Sequence, residues 1–141
     1  MITTLIAVDG SEHSLRAVES VCRLAAAGLV MDVHVLNVQI PVESGHVRMF
    51  VEADMIEDYY RQEGLAALKD ACGLLDGAGI RYSRHIAVGH VANTIAHYAT
   101  KLQAEQVVMG SHGRGALEHM LMGSVASDVI RQAGCAVTLV R

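Results

Sequence analysis

The sequence has no tryptophan, one phenylalanine and one proline among its 141 residues, and aromatic side chains make up only 4% of the chain. An aromatic platform for stacking nucleic-acid bases is therefore not expected. Eleven lysines and arginines stand against fifteen acidic residues, which gives a net charge of −4. Such a balance disfavours broad attraction to nucleic acid or to an anionic membrane. We predict neither of these as a partner.

Long apolar runs are also missing, because none approaches the roughly 18 residues needed to span a bilayer. The first residues, MITTLIAVDGSEH, lack a basic region and have too short an apolar run for a signal peptide. Cys22, Cys72 and Cys135 are odd in number, far apart and without metal-ligand spacing, as is typical of free thiols in a reducing compartment. These features predict a cytoplasmic protein.

Hydrophobic residues make up 52% of the chain, and they form short apolar runs that alternate with amphipathic segments. The runs predict strands at 3–9, 31–38, 80–88, 106–109 and 136–140. The segments between them predict a helix capped by Ser11 and ending near Gly28, and further helices at 51–77, 93–103 and 124–133. Parallel strands need such crossover helices. We therefore predict that residues 1–141 form one α/β domain, a doubly wound five-stranded parallel sheet with helices on both faces and strand order 3-2-1-4-5.

One stretch, EQVVMGSHGRGALEHMLMGS at residues 105–124, contains a glycine-rich loop between a strand and a helix. Its skeleton is Gly110, two residues, Gly113, nine residues, Gly123 and then Ser124. Glycine lets backbone N–H groups approach a ligand closely, and a helix start adds donors and a positive dipole end, so the stretch is suited to phosphate. The alternative is a flexible connection. Ligands of parallel sheets bind at the carboxyl ends of strands, which predicts Asp9 as a neighbour of Gly110.

Two well-known phosphate-binding motifs are missing from this loop. A Walker A loop requires Gly-Lys-Ser/Thr, but the two lysines, Lys69 and Lys101, lie far from any such sequence. The dinucleotide fingerprint would require glycine at Glu118, and would follow the first strand rather than the fourth. The loop therefore needs another explanation.

The pattern Gly-x2-Gly-x9-Gly-Ser resembles the nucleotide-binding signature of the universal stress protein family, in its ATP-binding branch. The first strand end, AVDGS at 7–11, the closing CAVTLV at 135–140 and the order of elements are also similar to that family. Two positions depart from it, since Val91 and Ala136 stand where the family often has proline. The resemblance implies an adenine nucleotide (ATP, AMP or ADP) as ligand. It also implies a homodimer formed through strand 136–140.

Carried over by position, the resemblance assigns Asp9 to the nucleoside, backbone groups of Val38 to adenine, and the three loop glycines to the phosphates. Ser124 would hold a phosphate at the helix start. Each assignment has an alternative, since Asp9 could serve a turn and Ser124 could serve only as a helix cap. The full set of predicted nucleotide-binding residues is Ala7, Val8, Asp9, Val38, Met109, Gly110, His112, Gly113, Arg114, Gly123, Ser124 and Val125.

Arg114 and His112 lie within the loop and could contact phosphate oxygens, or else be solvated loop side chains. A Mg²⁺ ion bridging the phosphates is compatible with this site, because the nucleotide itself supplies oxygen ligands. No catalytic residue is assigned, since no side chain stands out as a positioned general base. We expect a nucleotide-dependent regulator of the stress response with slow or no hydrolysis.

Two alternatives to this function remain open, a dimerisation or interaction module that uses no nucleotide and a weak ATPase. The irregular segment 39–50, which holds the only proline, could cover the site as a lid.

Overall fold

The computed structural model describes residues 1–42, 53–113 and 122–141. Its elements in chain order are β1 (Ile2–Ala7), α1 (Glu12–Ala26), β2 (Met31–Gln39), α2 (Ala53–Gly77), β3 (Tyr82–Val88), α3 (Val91–Lys101), β4 (Gln106–Gly110), α4 (Ser124–Gln132) and β5 (Ala136–Val140). Within these ranges no helix is both long and apolar enough to cross a bilayer.

All five strands form one parallel sheet in the order β3-β2-β1-β4-β5. The central strand β1 pairs on both sides, with Ile6 opposite Val35 of β2 and Val108 of β4. The predicted architecture and strand order are therefore confirmed. The order reverses between β1 and β4, so the carboxyl ends of these two strands flank a crevice.

Alternate residues of the strands point into two separate cores, as the two-residue period of a β-strand requires. In β1, Leu5 belongs to one core and Ile6 to the other, and both are fully buried. The core around Ile6 includes Val18 of α1 and Leu75 of α2, whereas the core around Leu5 includes Ile95 of α3. The α4 helix contributes to this second core as well. Helices therefore cover both faces of the sheet, as predicted.

Within the described residues the element boundaries lie at most two residues from the prediction. The α3 helix begins before residue 93, because the His90 side chain takes the cap position and its Nδ1 accepts from the Asn93 N–H at 3.5 Å. Histidine is not a usual cap residue, so the sequence does not reveal this start. The β3 strand begins after Ile80, since the Ile80 N–H donates to Leu75 O and closes the end of α2.

Gly64 in α2 has a packing role. A Cβ at this position would lie 2.6 Å from Ile86 Cγ2 on β3, whereas a Cβ at Gly73 in the same helix would meet nothing within 4 Å. We expect Gly64→Ala to destabilise the protein by about 1 kcal/mol, because overpacking outweighs the better helix propensity of alanine. Gly73→Ala is the matched control and should stabilise it by about 0.5–1 kcal/mol. Urea unfolding of both variants tests this, and equal stabilisation by the two would contradict it.

Candidate functional site

A cavity of about 420 Å³ lies at the carboxyl ends of β1, β2 and β4 and at the amino end of α4. Its volume is within the range of small-molecule sites, roughly 300–1,000 Å³. Every predicted site residue within the described ranges lines this cavity, namely Ala7, Val8, Asp9, Val38, Met109, Gly110, His112, Gly113, Gly123, Ser124 and Val125. Arg114, the remaining predicted residue, lies outside the described residues. The fold thus brings together residues that the chain separates by more than a hundred positions.

Asp9 is positioned by a tight turn that follows β1. Gly10 has a φ of 82°, a left-handed conformation that glycine adopts without steric cost. The turn lets the Ser11 N–H donate to Asp9 Oδ1 at 2.9 Å. The other carboxylate oxygen, Oδ2, lies 2.8 Å from where a Cβ of Gly113 would be. Asp9 therefore serves the turn with one oxygen and faces the glycine-rich loop with the other.

Hydrogen bonds to β2 hold Val8, the residue before Asp9, in place. Val8 N–H donates to Leu36 O at 2.9 Å, which continues the β1–β2 pairing beyond the end of β1. Asn37 is 3% exposed, and its Nδ2 donates to Val8 O at 2.8 Å. A buried amide must satisfy its donors, so this bond holds the strand end firmly. It limits the freedom of the backbone that carries Asp9.

The glycine-rich loop starts in close contact with α1. A Cβ on Gly110 would lie 2.7 Å from His13 Cβ and 2.9 Å from the His13 carbonyl carbon, so only glycine lets β4 end here. The next residue, Ser111, donates its N–H to Val140 O of β5 at 2.8 Å and accepts at its carbonyl from Gly123 N–H at 2.7 Å. Ser111 thus ties together the last strand and the start of α4.

The amino end of α4 faces the cavity. Gly123 occupies the cap position with no side-chain hydrogen bond, and Ser124 is the first helical residue. The interpretation of Ser124 as the cap residue is therefore wrong. The N–H groups of Ser124, Val125 and Ala126 have no acceptor within the helix, and the helix dipole adds positive potential there. Because all three residues line the cavity, this end of it is suited to an anion.

Another part of the cavity wall is apolar. It includes Leu36 and Val38 of β2 and Val91 and Ile95 of α3. A flat heteroaromatic ring fits such a surface, since apolar side chains supply contact area and nearby backbone groups supply direction. The cavity therefore combines an apolar wall with an end suited to an anion.

Some cavity residues were not predicted from the sequence: Ser14, Leu36, Ile40, Val91, Ile95, Ser111 and Ala126. Most of them are apolar and follow a strand or helix period, so they are indistinguishable from ordinary core residues in the sequence. Ser111 could have been predicted, because it lies inside the glycine-rich loop that the sequence identifies. The predicted lid lies mostly outside the described residues, but Ile40 at its start lines the cavity and is 72% exposed.

Two histidines meet beside the loop. The ring centroids of His13 and His112 are 5.3 Å apart, and the rings are tilted by 51°. His112 Nδ1 and Ser111 Oγ are joined by a hydrogen bond of 2.9 Å. His13 did not figure among the predicted site residues, because its contact with the loop arises only when α1 packs on β4.

The fold and cavity together define an α/β domain with a crevice at the switch point of its parallel sheet. The universal stress protein family model matches residues 1–141. The chain belongs to the universal stress protein family.

Relatives of known name agree with this family. The chain is 32% identical over 139 residues to universal stress protein MJ0531 of Methanocaldococcus jannaschii, covering 97% of this chain and 80% of that protein. It is 31% identical over 140 residues to a universal stress protein of Thermus aquaticus encoded in the QAH/OAS sulfhydrylase 3' region, covering 99% and 98%.

Solved structures share the fold. The hypothetical protein MJ0577 superposes with a TM-score of 0.84 at 24% identity, over 99% of this chain and 94% of that one. A universal stress protein in complex with cAMP gives 0.74 at 24% identity, over 99% and 97%. The universal stress protein from Archaeoglobus fulgidus in complex with dAMP gives 0.68 at 21% identity, over 100% and 98%.

Proposed function

We propose that this chain binds an adenine nucleotide, ATP, ADP or AMP, in the cavity and acts as a nucleotide-dependent regulator in the stress response. Asp9 would hold the nucleoside and backbone groups of Val38 would contact adenine. The loop glycines and the start of α4 at Ser124 would bind the phosphates. Mg²⁺ would bind mainly through the phosphate oxygens of the nucleotide.

The convergence of the predicted residues on one cavity is the observation that carries this proposal. The cavity pairs an apolar wall with an anion-binding helix start, as a nucleotide requires. Two universal stress proteins of the same fold were crystallised with cAMP and with dAMP, which supports an adenine nucleotide as the ligand class.

Binding without fast turnover is the second part of the proposal. Rapid phosphoryl transfer needs a positioned base and several cations around the transferred phosphate. Among the described cavity residues the acidic side chain is Asp9, and one of its oxygens already accepts from the Ser11 N–H. A regulator whose state depends on which nucleotide it holds fits this arrangement better than an efficient ATPase. If turnover does occur in the cavity, it should disappear in Asp9→Ala or Ser124→Ala.

Isothermal titration of nucleotide-free protein tests the proposal. We expect saturable binding of ATP and of AMP with one site per chain. Nucleotide released on denaturing freshly purified protein, identified by chromatography, would support the same conclusion. Protein that is folded by circular dichroism and nucleotide-free, yet binds no adenine nucleotide, would contradict it and favour the interaction module.

The edge of the sheet supports a homodimer. Within the described residues β5 pairs only with β4, and both Ala136 and Thr138 are exposed. An uncovered edge strand invites pairing with another chain. We propose that Ala136–Val140 forms the dimer contact, as the family resemblance implies. Sedimentation should then give a dimer for the wild-type chain and a weakened dimer for Thr138→Lys, whereas an unchanged association would exclude this edge.

A further inference from the structure

The His13–His112 pair lies next to the anion-binding end of the cavity. A Cβ on Gly123, the residue that caps α4, would be 3.4 Å from His112 Cα, so His112 adjoins the helix start. The ring of His13 follows at a centroid distance of 5.3 Å. His13 is itself held in place, because its backbone packs against Gly110. His112 therefore lines the cavity beside the place proposed for the phosphates, and the His13 ring lies directly behind it in contact distance of the same end.

Within the part of the chain that the structure describes, the charged groups around this pair can be named. Asp9 approaches the loop at Gly113, and Glu12 and Arg16, on either side of His13 in α1, are paired with each other at 2.9 Å and exposed. Arg141 comes directly after β5, next to Val140, whose carbonyl accepts from the Ser111 N–H. The α2 residues in the core shared with α1 are apolar: Leu68, Ala71, Cys72 and Leu75. Among the described residues, the carboxylate nearest the glycine-rich loop is therefore that of Asp9.

We propose that His13 and His112 form a proton-dependent anion clamp, which makes the cavity favour nucleoside triphosphates over monophosphates as the pH falls. This inference rests on the proposed nucleotide site and names how that site is regulated. An imidazole gains its proton between about pH 5 and 8. The clamp would therefore respond to changes of pH within the physiological range.

The physical basis is the coupling between protonation and anion binding. Protonated rings 5.3 Å apart would place positive charge together beside the helix start. Phosphate charge favours the protonated form of a neighbouring imidazole, and by linkage protonation strengthens the binding of phosphate. A triphosphate carries more negative charge than a monophosphate, so its affinity gains more from each proton.

A second histidine pair is present but lies in the sheet, away from the cavity. His34 Nδ1 and His85 Nε2 are 2.9 Å apart, and His34 Nε2 is 3.1 Å from Asp32 Oδ2. Burial, followed by the charges of His34 and Lys101, lowers the pKa of His85 below its ordinary value. This pair can contribute to the pH dependence of the whole protein, so the test must hold it constant.

The test compares Kd values for ATP and AMP at pH 8 and pH 6 in three proteins by isothermal titration. These are the wild type, the double variant His13→Gln/His112→Gln and the control His97→Gln, which alters an exposed histidine on α3. Glutamine keeps hydrogen-bonding capacity and removes the titrating charge. From pH 8 to pH 6 the ratio of ATP affinity to AMP affinity should rise in the wild type and in the control. We expect this rise to be about five- to tenfold larger than the rise in the double variant.

Comparison between proteins removes two other sources of pH dependence. The nucleotide phosphates titrate near pH 6 themselves, and they do so equally in every protein. His34 and His85 are intact in all three proteins. Repeating the titrations at pH 7 in buffers of different ionisation enthalpy adds a measure of protons taken up, which should be larger for ATP than for AMP. If the double variant does not fold, the single variants His13→Gln and His112→Gln are each expected to reduce the uptake.

Each outcome of this test bears on one proposal. A ratio that rises equally in the double variant overturns the clamp, and so does a wild-type ratio that is independent of pH. In either case nucleotide binding itself survives. Absence of nucleotide binding by folded wild-type protein at both pH values instead removes the proposed function, and the clamp falls with it.

Discussion

Replacing Gly113 by alanine is expected to weaken nucleotide binding about 10- to 150-fold while leaving the protein folded. The added Cβ would lie 2.8 Å from Asp9 Oδ2, a distance at which the carboxylate must move. Gly113 is exposed and its backbone lies outside the left-handed region, so alanine itself is tolerated there. Loss of a hydrogen bond to a charged group costs about 1.5–3 kcal/mol, which gives the stated factor. Titration calorimetry with ATP measures it.

A double-mutant cycle shows whether the alanine acts through Asp9. If its effect is only to displace the carboxylate, Gly113→Ala should cost nothing further in an Asp9→Ala background. Gly134→Ala is the matched control, because a Cβ there meets nothing within 4 Å. Additive losses in the double variant would show that Gly113 contacts the ligand by another route. Normal binding by Gly113→Ala would refute the placement of the nucleoside at Asp9.

Replacing Gly110 by alanine should have the largest effect on stability. Its Cβ would lie 2.7 Å from His13 Cβ and 2.9 Å from the His13 carbonyl carbon, so the obstruction includes the α1 backbone. Because backbone atoms cannot rotate away as a side chain can, we expect the free energy of unfolding to fall by about 3 kcal/mol, the upper end of the cost of overpacking. For a chain of this size that corresponds to a Tm lower by roughly 6–12 °C.

Urea and thermal unfolding of nucleotide-free protein measure this loss. Gly73→Ala serves again as control, since it adds the same methyl group without a contact. Removing nucleotide matters because a bound ligand would stabilise the folded state of each variant by a different amount. A Gly110→Ala variant within 0.5 kcal/mol of the wild type would show that α1 can shift on β4 at little cost.

Much of the fold follows from patterns that are local in the sequence. Apolar runs gave the strands, crossover helices required a parallel sheet, and the family resemblance is consistent with the strand order. The differences at His90 and Ile80 have a common cause, since each boundary depends on one side-chain or turn hydrogen bond. Propensity and periodicity do not register single bonds of that kind.

The candidate site also has one part that the sequence predicts and one part that it does not. Glycine spacing and strand ends identify its polar side, because few other roles require those residues at those intervals. Its apolar side, including Leu36 and Ile95, was missed, since a cavity wall and a core use the same side chains. The approach of His13 to Gly110 was missed as well. It depends on how closely a helix packs on a strand nearly a hundred residues later in the chain.

The hydrogen bond from Ser111 N–H to Val140 O makes one amide proton a reporter of two regions. The acceptor, Val140 O, belongs to the edge strand β5. The Ser111 carbonyl in turn accepts from the N–H of Gly123, which caps α4. Slow hydrogen exchange at Ser111 therefore requires that β5 stays paired, and its NMR cross-peak should move when the cavity is filled. The proposed dimer contact and the proposed ligand can therefore both be tested at a single resonance.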